Sequence, residues 1–139
     1  MTVNAVAHSR GRPGYSQFYP CSAESAAAAR RLVRTALSAW GMDTIVDDGV
    51  LVVTELVSNA ARHAGGNRIR VTVSRPAPCS AEIAVIDPSP APPQARMAAP
   101  DEENGRGLAL VDELTKDWGT DRLPTGKRVW GLLTCEGVQ

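Results

Sequence analysis

Glu55, Asn59 and Arg62 are the residues whose types and spacing most suggest chemistry. Glu55 and Asn59 are four positions apart, and Arg62 follows three positions later, so on a helix they project from or near one face. A solvated helix face with polar pairs would display the same stripe of carboxylate, carboxamide and cation. His63 could join Glu55 and Asn59 at a metal, but such sites normally need a further ligand cluster, and the other histidine, His8, lies near the N-terminus. A surface or capping role for His63 is therefore favoured.

Two further segments have features of a ligand site. Asp87 ends an apolar strand pattern, where a carboxylate could accept a hydrogen bond from a ligand's amino group or simply form a turn. Gly105, Arg106 and Gly107 open a helical pattern after a long loop. Glycines allow close backbone approach, and the free N–H groups of a helix N-terminus favour phosphate, although a hinge is the alternative. The sequence contains neither a Walker A loop nor a Gly-x-Gly-x-x-Gly motif.

Helical periodicity predicts the element that carries Glu55 and Asn59. A first helix is expected over 22–40, with Ser22 as its N-cap and Gly41 as its stop. A second helix is expected from Asp43 to about Ala64, with its apolar stripe opposite the polar one. That predicted stripe consists of Val46, Val50, Val53, Val57 and Ala60.

Strand patterns predict the sheet that carries Asp87. Alternation over 68–74 and an apolar run over 81–86 predict a hairpin. A proline-rich loop over 88–104 follows, and loops of that length often act as lids. A third helix over 105–116 and two strands over 117–122 and 127–133 complete the pattern.

Length and composition limit the class of protein. The 139 residues suit one domain, expected over 16–139 after a flexible tail over 1–15. The formal net charge is zero, which disfavours a general nucleic-acid binder. Three cysteines without Cys-x-x-Cys spacing disfavour a disulfide framework and fit a reduced, cytoplasmic setting. No apolar run reaches the length that a membrane span needs, and a secretory signal is not expected.

The order of these segments resembles the N, G1 and G2 boxes of the GHKL ATPase superfamily. The segments TELVSNAARHA, AVIDPSPAPP, GRGLALVDELTKDWG and GKRVWGLL are most similar to bacterial anti-sigma-factor serine kinases, in particular the short single-domain type of actinobacteria. The resemblance covers about residues 17–134. It implies a Bergerat-type α/β (α+β) two-layer sandwich, in which helices cover one face of a mixed, mostly antiparallel sheet and ATP lies between the layers under the lid.

The resemblance also implies roles for residues of the second helix. Asn59 matches the residue that holds Mg²⁺ bridging the phosphates of ATP. Glu55 matches the general base that activates a substrate hydroxyl. Arg62 matches a basic position that contacts phosphate in related kinases. Mg²⁺ and the Arg62 guanidinium could neutralise phosphate charge locally, so a net charge of zero does not argue against ATP binding.

The remaining implied roles concern the nucleotide's base and phosphates. Asp87 matches the carboxylate that hydrogen-bonds the adenine amino group. Gly105 and Gly107 match glycines whose N–H groups meet the phosphates, and Arg106 is placed to help there. The chain departs from the superfamily pattern Asp-x-Gly-x-Gly, because Asp87 is followed by Pro-Ser-Pro-Ala and both glycines are missing.

Two functions of different classes are therefore expected from the sequence. The first is a serine/threonine kinase that phosphorylates an anti-anti-sigma partner of the STAS type and sequesters a sigma factor. The second is a non-catalytic, nucleotide-sensitive module that only sequesters a regulator. A detached ATP-binding domain of a histidine kinase is disfavoured because no phosphoacceptor helix is evident. Relatives often dimerise, so a homodimer is also possible.

Overall fold

The structure of the protein is a computed structural model, which describes residues 4–7, 13–22, 24–64, 68–87, 102–124 and 126–135. These ranges contain three α-helices and six strands, with a short 3-10 turn before the second helix. In chain order the elements are β1 (Asn4–Ala7), β2 (Pro13–Pro20), α1 (Ser25–Ala39), the 3-10 turn (Asp43–Ile45), α2 (Val46–Ala64), β3 (Arg68–Ala77), β4 (Ser80–Asp87), α3 (Glu102–Leu114), β5 (Asp117–Leu123) and β6 (Gly126–Thr134).

The strands form one six-stranded sheet in the order β1-β2-β3-β4-β6-β5. Every neighbouring pair is antiparallel. Between β2 and β3 the chain passes through two helices and returns to the end where β2 finished, which makes β3 antiparallel to β2. The predicted two-layer α+β sandwich is confirmed, and the described sheet is wholly antiparallel rather than mixed.

Alternation along the central strands separates the two faces of the sheet. Val71 on β3 lies opposite Val85 on β4, and Val73 lies opposite Ile83. All four side chains are buried beneath the helices. Each such side chain contributes about 1.5–3 kcal/mol when it is fully removed from water. The helices complete the core with Leu32, Val33, Leu37, Val52, Val53, Leu56 and Val57.

Helix α1 begins at Ser25, three residues later than predicted. The expected N-cap, Ser22, instead accepts a hydrogen bond at its carbonyl from the Ser25 amide, over 3.1 Å. The Ser25 hydroxyl donates to the carbonyl of Pro20 over 2.6 Å. The N-cap position is held by Glu24, which makes no side-chain capping bond. Ser25 therefore fastens the start of α1 to the end of β2.

The predicted stop at Gly41 is confirmed by the hydrogen bonds at the end of α1. The amide of Met42 donates to the carbonyl of Leu37 over 2.8 Å, and that of Gly41 donates to Ser38 over 3.0 Å. This is a Schellman motif, which requires a left-handed residue, and Gly41 has φ of 73°. Met42 is buried, which supplies the hydrophobic contact that accompanies the motif.

Gly41→Ala is expected to lower the free energy of unfolding by about 1–2 kcal/mol, the cost of a left-handed conformation for an L-residue. Nothing lies within 4 Å of a Cβ built at Gly41, so the cost is conformational and not steric. Urea denaturation of the two proteins measures it. Gly41→Asn is the matched control, because asparagine tolerates this conformation, and it should cost less than alanine. Equal stability of all three proteins would contradict the backbone explanation.

Two segments of the tail expected over 1–15 are in strands. Residues 4–7 form β1, and 13–15 belong to β2. Tyr15 packs against Trp40 with ring centroids 5.6 Å apart, a contact that sequence periodicity alone did not reveal. Because β1 pairs with β2 on one side and β3 pairs with it on the other, β2 lies inside the sheet and not at its edge.

Candidate functional site

Chain direction brings the end of β2, the end of β4 and the carboxyl half of α2 to one end of the sheet. β2 and β4 run in the same direction, since each is antiparallel to β3. The ends of β2 and β4 therefore lie together. The thiol of Cys21, just after β2, donates a hydrogen bond to the carbonyl of Ala60 on α2 over 3.4 Å. The carboxyl half of α2 thus lies at the same end, and α3, which packs against α2, follows β4 in the chain.

Glu55 and Asn59 both lie on α2, as predicted, but the polar stripe is not opposite the apolar one. Asn59 is only 7% exposed, Glu55 is half-buried and Arg62 is exposed. The buried stripe includes Leu56, which periodicity analysis had omitted, and this shifts the stripe around the helix toward Asn59. The three polar side chains therefore range from the interior to the surface along one border of α2.

The side chains of Glu55 and Asn59 are available to a ligand. Within the ranges that the structure describes, no hydrogen bond or ion pair involves either side chain. A bound group could therefore contact the Asn59 amide without displacing a partner among the described residues. An amide oxygen is also a hard ligand of the kind that Mg²⁺ prefers.

Asp87 is the last residue of β4 and is 4% exposed. It has the same strand parity as Ile83 and Val85, so its side chain lies on the helix-covered face of the sheet. The thiol of Cys21 is close enough to feel its charge: burial, and then the Asp87 carboxylate, raise the pKa of Cys21. A buried carboxylate between the layers is suited to accept a hydrogen bond from an amino group.

Cys21 is the residue at this site that sequence reasoning missed. The one signal in the sequence is that Cys21 directly follows the β2 strand. This signal points to Asp87 only once the sheet order is known, because β2 and β4 lie on either side of β3 and end at the same end of the sheet. The thiol is partly exposed, and it borders both α2 and Asp87.

Gly105, Arg106 and Gly107 lie inside helix α3, not at its first residue. The helix begins at Glu102, three residues before the predicted start, so Glu102 to Asn104 are helical where a loop was expected. The N–H groups left free by helix geometry are those of the first turn, upstream of Gly105. The proposed contacts of these three residues with phosphate remain predictions. The rest of the predicted lid, 88–101, lies outside the described residues.

The side chains at this end of the sheet suit a metal ion that is held mainly by the phosphates of a bound substrate and only in part by the protein. In the described ranges there is no group of three or more histidine, cysteine, aspartate or glutamate side chains that could hold a metal by itself. Mg²⁺ commonly uses one or two protein ligands together with substrate phosphates and water. Asn59 could supply one such ligand.

No helix in the described part of the chain is long and apolar enough to cross a membrane.

Comparison with known proteins identifies the chain's family. Residues 19–131 match the histidine kinase-like ATPase domain, a span that includes every candidate site residue, all of β3, β4 and β5, and parts of β2 and β6. A search of curated proteins finds no match. Family membership supports ATP binding in general, and it agrees with the two-layer antiparallel fold. The chain belongs to the histidine kinase-like ATPase domain family.

Proposed function

We propose that the protein is an ATP-binding serine/threonine kinase of the anti-sigma-factor type. It would phosphorylate an anti-anti-sigma partner of the STAS type and sequester a sigma factor. The observation that carries the proposal is the position of Asp87, a buried carboxylate on the helix-covered face beside α2. The same helix presents Asn59 and Glu55, in the order that the kinase resemblance requires.

Each residue has a distinct task in this proposal. Asp87 accepts a hydrogen bond from the adenine amino group and so selects the base. Asn59 holds Mg²⁺, which when bound neutralises phosphate charge. Glu55 takes the proton of the substrate hydroxyl as the γ-phosphate is transferred. Arg62, exposed on the same border of α2, contacts a phosphate. Arg106 and the first turns of α3 contribute positive potential there.

Asn59→Ala is expected to remove magnesium-dependent ATP binding. Calorimetric titration with ATP, with and without Mg²⁺, measures this in the two proteins. One hydrogen-bonded or metal-bridged contact to a charged group is worth about 1.5–3 kcal/mol, so affinity in Mg²⁺ should fall about 10- to 100-fold. Ser58→Ala, one position earlier and half-buried, is the control and should bind as the parent does. Absence of binding by the folded parent at millimolar ATP would overturn the proposal.

A non-catalytic module that sequesters a regulator in a nucleotide-sensitive way is the alternative. One feature of the sequence favours it: the segment after Asp87 contains prolines, and both glycines of the Asp-x-Gly-x-Gly pattern are missing. Proline removes backbone donors and stiffens a loop. In that case ATP would still bind at Asp87 and Asn59, but no phosphate would be transferred.

A further inference from the structure

Two cysteines meet at the end of the sheet opposite to Asp87. β4 and β6 are antiparallel, with Ser80 opposite Thr134, so Cys79 and Cys135 form the next pair in the same register. The Cys135 amide donates to the carbonyl of Cys79 over 2.9 Å, and its thiol also approaches that carbonyl, at 3.4 Å. Neither cysteine is in a disulfide.

The backbone geometry of this pair suits a disulfide. Directly opposed, hydrogen-bonded residues of antiparallel strands have Cα atoms about 5.5 Å apart. Disulfides span Cα separations of about 4.4–6.8 Å. The side chains of an opposed pair lie on the same face of the sheet, and the Cys135 thiol lies 3.4 Å from the carbonyl oxygen of Cys79. A bond between them therefore needs little movement of the backbone.

We propose that Cys79 and Cys135 are a site of reversible oxidation to an intramolecular disulfide. Cys79 is exposed, whereas Cys135 is only 6% exposed, so a peroxide reaches Cys79 first. The Cys79 thiolate attacks one peroxide oxygen, the O–O bond breaks, and Cys79 becomes a sulfenic acid as hydroxide leaves. The Cys135 sulfur then attacks the Cys79 sulfur, the S–O bond breaks, and water leaves with the thiol proton. Two thiols and one hydrogen peroxide thus give one disulfide and two waters.

A cation lies beside the cysteine pair. The Arg75 guanidinium is held in the β3–β4 turn, where Nε and Nη2 donate to the carbonyl of Pro78 over 3.3 and 3.0 Å. Burial, together with the hydrogen bond from its neighbour, raises the pKa of Cys135, and the Arg75 charge lowers it. The exposed Cys79 is therefore the attacking thiol, and the buried Cys135, whose pKa is raised, is the resolving thiol.

The cross-link lies far from the proposed nucleotide site. Cys79 precedes the first residue of β4, and Asp87 is the last. Eight strand residues span about 25 Å at roughly 3.3 Å per residue. The disulfide would join 79 to 135 and so enclose β4, α3, β5 and β6 in one covalent loop. Its formation can be tested separately from ATP binding.

The test is oxidation of the reduced protein with hydrogen peroxide, alkylation of remaining thiols, digestion and mass spectrometry. We expect one linked peptide pair containing Cys79 and Cys135, lighter by two hydrogens, with Cys21 alkylated. Dithiothreitol should reverse the link. Because the closed loop restricts the unfolded chain, the melting temperature should rise by roughly 5–15 °C on oxidation.

Matched variants separate this site from general thiol chemistry. Cys79→Ser and Cys135→Ser should each abolish both the linked peptide and the thermal shift, while Cys21→Ser should retain both. The proposal is overturned if Cys135 remains alkylatable while Cys79 is over-oxidised or joins a second copy of the chain. It is equally overturned if Cys21 forms the main linkage.

Discussion

Asp87→Asn is expected to weaken ATP binding by about 10- to 100-fold, the effect of losing one hydrogen bond to a charged group. The substitution preserves size and shape at a buried position, but the amide has no negative charge and keeps only one acceptor oxygen, so it is a weaker partner for the adenine amino group. Inosine triphosphate, which carries an oxygen in place of that amino group, provides a second readout. The parent should prefer ATP over inosine triphosphate, and the variant should lose that preference. Calorimetric titration with each nucleotide measures both effects.

Two controls make this result specific. Asp47→Asn changes an exposed carboxylate on α2 and should bind ATP as the parent does. The Asp87 variant should also alkylate faster at Cys21, because removal of the carboxylate's charge eliminates one of the causes that raise the pKa of Cys21. If alkylation is faster but the nucleotide preference is unchanged, Asp87 lies near Cys21 but does not recognise the adenine amino group.

The sequence predicted the site's elements because their signals are local. Alternation of apolar residues located β3 and β4 to within a few residues, and it placed Asp87 at a strand end. Gly41 predicted the end of α1 because a left-handed conformation is needed just after a helix and glycine adopts it readily. Spacing alone put Glu55 and Asn59 on one helix. None of these inferences depends on which strand lies beside which.

The errors concern features that depend on tertiary packing. The start of α1 was misplaced because Ser25 bonds to Pro20, a partner in the preceding strand. Asn59 is buried, and so is Leu56 three positions earlier, which packs into the core but does not belong to the apolar stripe that periodicity predicts. Cys21 lies near α2 and Asp87 because of the order of the strands in the sheet, which local sequence patterns do not show. Pairs such as Cys79 and Cys135, 56 positions apart, are likewise set by strand pairing.

Glu55→Gln is expected to separate ATP binding from phosphoryl transfer. Glutamine keeps the size of the side chain on a half-buried helix position, so the fold and the nucleotide affinity should change little. The proton acceptor is lost, and general-base catalysis typically contributes about 10²- to 10⁴-fold to the rate. Transfer of the γ-phosphate from radiolabelled ATP to a purified STAS-domain protein should fall by that factor. Glu113→Gln, at an exposed position on α3, is the matched control and should leave the rate unchanged.

The possible outcomes distinguish the two functional proposals. A kinase loses transfer in the Glu55 variant but keeps ATP binding and partner binding, because the carboxylate acts only when the hydroxyl proton leaves. If the parent binds ATP but transfers no phosphate, the kinase proposal is wrong and the nucleotide-sensitive sequestering module is supported. If transfer proceeds equally well in parent and variant, another group takes the proton and Glu55 has no catalytic role. The half-buried carboxylate, without a partner among the described residues, is the feature of α2 that a purely sequestering protein would not need.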